Sequence, residues 1–280
     1  MVTKSGYPNL TALYGVPYLG PGRVAARIQQ ALYNREKLAL TRLGDVMTRI
    51  LTRRAEYKGR LRTIGPFVGV PYPLNRAWEE RLVKALKTAD ILGLTMLTGY
   101  SRLLKEALDQ WNIHPLQACD AFVMDALFRR GMLIPLLKGQ RVFLVGRSAA
   151  RAGQHLAGQG VDVVGCTTLE GLEDLDRVLE ALTCDKAPGW DVVLVGAGVP
   201  ARILSPEVSN HTGRVALDIG HVLDFMANPH VKPSWGRQTV KETWFKNQRR
   251  QKVPGQERSK RQVQRGEFTN FFASSPGHAN

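Results

Sequence analysis

Four short stretches of this chain combine glycines with groups that can carry charge or protons: Arg42-Leu43-Gly44-Asp45, Gly146-Arg147-Ser148, Gly196-Ala197-Gly198 and Asp218-Ile219-Gly220-His221. A carboxylate behind a glycine, such as Asp45, can hold a divalent cation through oxygen, and an arginine such as Arg42 or Arg147 can meet a phosphate by charge-assisted hydrogen bonds. Asp218 and His221 can exchange protons, and Asp120 is a further candidate base. Each has a plainer alternative. Arg42 and Asp45 can form a pair that caps a helix, Asp218 and Asp120 can cap the turns beside them, and His221 can pack against its neighbours.

The elements that must position these groups are legible from periodicity. Residues 140–165, QRVFLVGRSAARAGQHLAGQGVDVVG, predict a strand over Arg141–Val145, a glycine turn, a helix over Ala149–Gln159 and a second strand over Val161–Val164. Parallel strands need a crossover, so this βαβ unit implies a parallel sheet covered by helices. The pattern recurs with helix Leu172–Leu182, strand Asp191–Val195, helix Pro200–Ser209 and strand Arg214–Asp218. Upstream, Val24, Ile28, Ala31 and Leu32 have helical spacing, Leu38–Thr41 and Asp90–Leu97 predict strands, and Val46–Tyr57 and Leu74–Thr88 predict helices. Cys119, Phe122, Val123, Ala126 and Leu127 form a strict helical stripe, which predicts a helix ending near Gly131. On such a helix Asp120 and Asp125 point in different directions, so only one of them can face a site. The fold class expected is α/β, a Rossmann-like parallel sheet with helices on both faces. Ligands collect at the carboxyl ends of its strands, where all four polar stretches lie.

The formal charge of +15 is unevenly spread: residues 229–280 hold 11 of the 39 lysines and arginines but 3 of the 24 acids. With few apolar residues, this basic tail is expected to be disordered. It can bind an anionic polymer by phosphate neutralisation, with Trp235, Trp244 and Phe245 as stacking groups, or be a solvated tail with no partner. Residues 1–21 read as an irregular arm and 22–228 as the α/β domain. No apolar run reaches the roughly 20 residues needed for a membrane span, and no basic-then-apolar leader opens the chain, which predicts a cytoplasmic protein. Cys119, Cys166 and Cys184 lack metal-ligand spacing and are expected to be reduced core residues.

Gly196-Ala197-Gly198-Val199-Pro200-Ala201 fits the GxGxxA fingerprint of dinucleotide folds, with Asp218 about 20 residues on as a ribose-binding acid. That supports an NAD-dependent oxidoreductase as one reading. The fingerprint comes late in the chain, however, and it ordinarily opens the first βαβ unit.

The ordered set LTRLGD, DILGL, CDAF, GMLIPLLKGQRVFLVG, GVDVVG, DVVLVGAG and VALDIGH resembles the bacterial glycosyltransferases of the GT-D fold, over roughly residues 22 to 227. The resemblance implies a nucleotide-sugar donor, an acceptor that is a glycan, protein or lipid, and a divalent metal, Mn or Mg, on the diphosphate. The family's first motif is Arg-x-Gly-Asp-x-Glu; here Arg42, Gly44 and Asp45 match, while Met47 stands at the glutamate position. By that resemblance Asp45 would hold the metal, Arg42 or Arg147 would neutralise phosphates, and Gly146 would let the backbone approach the donor. Asp218, His221 or Asp120 would serve as base or as a further ligand. A thioether is a poor ligand for a hard cation, so metal affinity is expected to fall unless one of those three compensates. A weakened or inactive transferase, or a non-catalytic protein that only binds a nucleotide or sugar, is the alternative expectation.

Overall fold

The computed structural model describes residues 13–185, 187 and 189–230. Their centre is a single parallel sheet of eight strands: β1 (Tyr18–Leu19), β2 (Leu38–Leu43), β3 (Ile91–Leu94), β4 (Gln117–Asp120), β5 (Arg141–Gly146), β6 (Asp162–Thr167), β7 (Val192–Gly196) and β8 (Val215–Asp218). The spatial order is β1-β4-β3-β2-β8-β7-β5-β6. The early and late parts of the chain therefore meet where β2 pairs with β8, Leu40 opposite Leu217. Central strands such as Val192-Val193-Leu194-Val195 are apolar on both faces because both faces are covered, as in other parallel sheets.

One face carries α1 (Pro21–Asn34), α6 (Val123–Arg129), α7 (Leu133–Leu137), α8 (Ala149–Ala157) and α11 (Val222–Ala227). Their apolar residues form one cluster with Leu38, Leu40, Leu144, Leu194 and Leu217 of the sheet. The other face carries α2 (Asp45–Thr52), α4 (Arg76–Thr88), α5 (Thr98–Gln110), α9 (Leu175–Thr183) and α10 (Pro200–Thr212). A short α3 (Lys58–Ile64) continues from α2 through a 3-10 turn at Ala55–Tyr57. This is the α/β architecture, with helices on both faces, that the sequence predicts.

Several local expectations are corrected. The helix expected over Val46–Tyr57 ends at Thr52, where Arg53 takes a left-handed φ of 51°. The arm is not wholly irregular, because Tyr18 and Leu19 pair with Ala118 and Cys119 at the sheet edge. The largest correction concerns residues 118–120, read as the start of a helix. They belong to β4, held between β1 and β3 with Leu94 opposite Asp120. Cross-strand pairing overrides a helical stripe of five residues whose last members alone, from Val123 on, lie in a helix. Cys119 is buried as expected, whereas Cys166 and Cys184 are exposed. From residue 231 on, the expected disordered tail lies outside the described residues. Among the described residues no helix is long and apolar enough to cross a membrane.

Candidate functional site

All strands are parallel, so their carboxyl ends form one edge, and at its middle sits Arg42, 5% exposed. Its backbone N–H donates to Asp218 Oδ2 at 3.1 Å and its Nε to Asp218 Oδ1 at 3.3 Å. Its Nη1 donates to the carbonyl of Ala121 at 3.3 Å and lies 4.0 Å from Asp125 Oδ2. Gly220, with a φ of 52°, makes room for this guanidinium, since a Cβ there would sit 1.5 Å from Nη2. Arg202, from α10 on the opposite face, donates through Nε to the carbonyl of Arg42 at 2.9 Å. The same nitrogen lies 3.4 Å from Asp218 Oδ2. Asp218 is 0% exposed and bridges two guanidiniums. A carboxylate taken out of water is tolerable only with such compensation, and removing one partner strands the other charges.

Next to this bridge, His221 Nε2 lies 2.6 Å from Asp125 Oδ1, and Asp125 is 7% exposed. A carboxylate accepts, so Nε2 donates, and the basic lone pair of the ring is on Nδ1. The ring of Phe225 meets the imidazole edge-on at 5.2 Å. Asp120, at the end of β4, accepts from the Phe122 N–H at 2.8 Å. Burial pushes its carboxyl above the ordinary carboxylate range, and the nearby charge of Asp125 adds to that rise. The sequence-based expectation that Asp120 and Asp125 diverge is thus overturned. The helix on which that geometry depended starts only at Val123, and the turn between strand and helix brings both acids to one place.

Asp45 opens α2, and its Oδ2 lies 3.3 Å from Nη1 of Arg49, one helical turn on. Arg49 is 2% exposed, bonds the Tyr100 hydroxyl and has its guanidinium 5.0 Å from the Tyr100 ring. Tyr100 therefore stacks on an arginine. Met47 is 1% exposed, packed into the core beneath the edge. Among the described residues no group of three His, Cys, Asp or Glu side chains could hold a metal ion. Taken alone, these side chains offer a hard divalent cation a poor donor set. Asp45 is engaged by a guanidinium, Asp218 by two, and the thioether is buried.

The other half of the edge, at the ends of β5 and β7, is filled by the protein itself. A Cβ on Gly146 would lie 2.5 Å from the Gly196 carbonyl and 2.8 Å from Leu223 Cδ2; one on Gly196 would lie 2.6 Å from Leu223 Cβ. These glycines admit Leu223 of α11. Gly198, with a φ of 61°, would carry a Cβ 2.4 Å from the Val68 carbonyl, which already accepts from the Val199 N–H at 2.8 Å. In a dinucleotide fold that amide would serve the pyrophosphate. Arg147 donates to the carbonyls of Phe67 at 3.1 Å, Pro66 at 3.4 Å and Glu170 at 3.4 Å, so it fastens the 66–70 loop over the same turn. Ser148 donates to Asp224 Oδ1 at 2.6 Å. With Asp218 buried as well, the positions required by the dinucleotide reading are occupied.

Gly44 remains open above α2, with no atom within 4 Å of its Cβ position. The structure thus gathers Arg42, Gly44, Asp45, Asp120, Asp218 and His221 on one side and Gly146, Arg147, Gly196 and Gly198 on the other. Sequence reasoning missed Arg202, Arg49 and the pairing role of Asp125. Arg49 stands one turn after Asp45, a readable spacing; Arg202 and Asp125 carry no local signal.

A family model described as a GT-D fold-like domain matches residues 19–226. Comparison with curated proteins gives no match. Among solved structures, one described as "The highly conserved domain of unknown function 1792 has a distinct glycosyltransferase fold" is 15% identical, with a TM-score of 0.52, over 76% of this chain and 81% of that one. A selenomethionine-substituted structure of domain of unknown function 1792 is 14% identical, with a TM-score of 0.50, over 76% and 81%. At such identities the likeness shows a shared fold.

Proposed function

This chain belongs to the GT-D fold-like domain family, and on that premise we propose that it transfers a sugar from a nucleotide-sugar donor to an acceptor hydroxyl. The reacting groups would lie at the ends of β2, β4 and β8. The observation that carries this reading is the His221–Asp125 pair, 2.6 Å apart at the carboxyl edge.

In the proposed reaction the acceptor oxygen attacks the anomeric carbon while the bond from that carbon to the nucleotide's phosphate oxygen breaks. The nucleotide diphosphate leaves with the electron pair. The acceptor proton passes to Nδ1 of His221, whose imidazolium Asp125 stabilises and orients through Nε2. Asp120, at the neighbouring strand end, is placed to accept a hydrogen bond from the same acceptor, and its burial makes it a stronger base than a solvated carboxylate. Asp218 orders Arg42 and Arg202 and does not meet substrate. No step runs through a metal ion.

The test is calorimetric titration with UDP-sugars, GDP-sugars and NAD, followed by donor hydrolysis measured as nucleotide release. Binding of one nucleotide-sugar with slow hydrolysis that falls in His221→Gln supports transfer. Binding without any release in the wild type favours a non-catalytic binding protein, and binding of NAD alone reopens the oxidoreductase reading.

A further inference from the structure

Charges at the polar half of the edge balance without an ion. Arg42, Arg49 and Arg202 face Asp45, Asp125 and Asp218, with separations of 3.3 to 4.0 Å for their pairs. A divalent cation at a nucleotide site is held by several oxygens, some from the phosphates and water and one or two from protein carboxylates. Here the carboxylate best placed to recruit one lies against the Arg49 guanidinium, and Arg202 is close enough that the charge of Asp45 acts on it. A dication at Asp45 would have to displace or oppose two fixed cations in a poorly screened place, which Coulomb repulsion disfavours. Met47, facing the core on the same helix, offers no oxygen to offset this.

Resting on the nucleotide-sugar reading above, we propose that this chain binds its nucleotide without a divalent metal, the countercharge of Asp45 being supplied from within by Arg49 and Arg202. Arg49 is well suited to the task. A guanidinium cannot lose its charge in a protein, and this one is clamped by the Tyr100 hydroxyl and ring, so it persists where an exchangeable ion would come and go.

Two measurements on the full chain test the proposal. Electron paramagnetic resonance with Mn²⁺ alone reads the site directly: no saturable binding is expected in the wild type beyond what Asp45→Asn retains. A saturable Mn²⁺ site lost in Asp45→Asn would overturn the proposal whatever the nucleotide does. Calorimetry with UDP and GDP is then run in EDTA and in excess Mn²⁺. The expected dissociation constants agree within about threefold, and Asp45→Asn tightens binding by about threefold, because one negative charge is removed from the edge that would receive an anionic ligand. A tenfold or greater gain with Mn²⁺, or loss of binding in Asp45→Asn, refutes the internal countercharge. Failure of every nucleotide in both buffers refutes the donor-binding reading instead, and the Mn²⁺ spectrum still decides the metal site.

Discussion

At the ends of β5 and β7 the turn glycines admit the protein's own atoms, Leu223 under Gly146 and Gly196 and the Val68 carbonyl over Gly198. At the ends of β2, β4 and β8 the chain presents side chains instead, with Arg42 and Asp218 paired beneath and His221, Asp120 and Asp45 above. In sequence the two halves look alike, each a glycine turn after an apolar strand. The difference lies in what arrives from elsewhere, α11 and the 66–70 loop in one case and a set of paired charges in the other. A glycine turn at a strand end is therefore evidence of close approach, and the approaching group can be a leucine as readily as a phosphate.

This comparison separates substitutions that alter chemistry from those that alter folding. The largest effect is expected from His221→Gln, which should lower nucleotide release by about 10²- to 10⁴-fold with the donor dissociation constant unchanged, as for loss of a general base. Equal loss in Gly146→Ala without a change in melting temperature would erase the distinction between the halves. Asp218→Ala should cost about 3–5 kcal/mol of stability by removing the carboxylate that two buried guanidiniums share, a drop of roughly 10 °C or more for a domain of this size, read by thermal melting.

Gly146→Ala comes next. It adds a Cβ 2.5 Å from the Gly196 carbonyl at a φ of 143°, and overpacking with backbone strain should cost about 1–3 kcal/mol. Arg147→Met should cost about 1 kcal/mol and speed hydrogen exchange at the Val199 amide, because the 66–70 loop loses its side-chain fastening.

The smallest effect is a pH dependence. Burial raises the Asp224 carboxyl above its unfolded value, so the folded protein holds a proton that the unfolded chain has released. Its contribution to stability is present below the unfolded value and is lost as pH rises through the folded one. Asp224→Asn should melt with the wild type in acid and above it at neutral pH. A gap that is constant with pH would mean that burial does not set this carboxyl's ionisation.

Much of this was legible in the sequence, for reasons that also mark where legibility ends. The runs Arg141–Val145 and Asp191–Val195 announced strands because a strand buried on both faces leaves a continuous apolar trace, and Val24, Ile28, Ala31 and Leu32 announced α1 because one buried face repeats every 3.6 residues. Strand polarity then placed Arg42, Asp45, Asp218 and His221 at a common edge. Asp120 is legible as a polar group too, but on the wrong element, since Gln117–Asp120 is a strand only by virtue of its partners on β1 and β3.

The sequence by itself thus determined the alternation of elements, the parallel α/β class and the edge that carries polar groups, all consequences of burying apolar side chains with a fixed period. Only the tertiary structure decided which charge meets which. Arg42 and Asp218 are 176 residues apart, and His221 and Asp125 are 96 apart. Pairing over such distances depends on strand order and on turns of one or two residues, and neither leaves a period in the chain. For the same reason the glycines of β5 and β7 could be read as turns, while Leu223 and Val68, which fill them, could not.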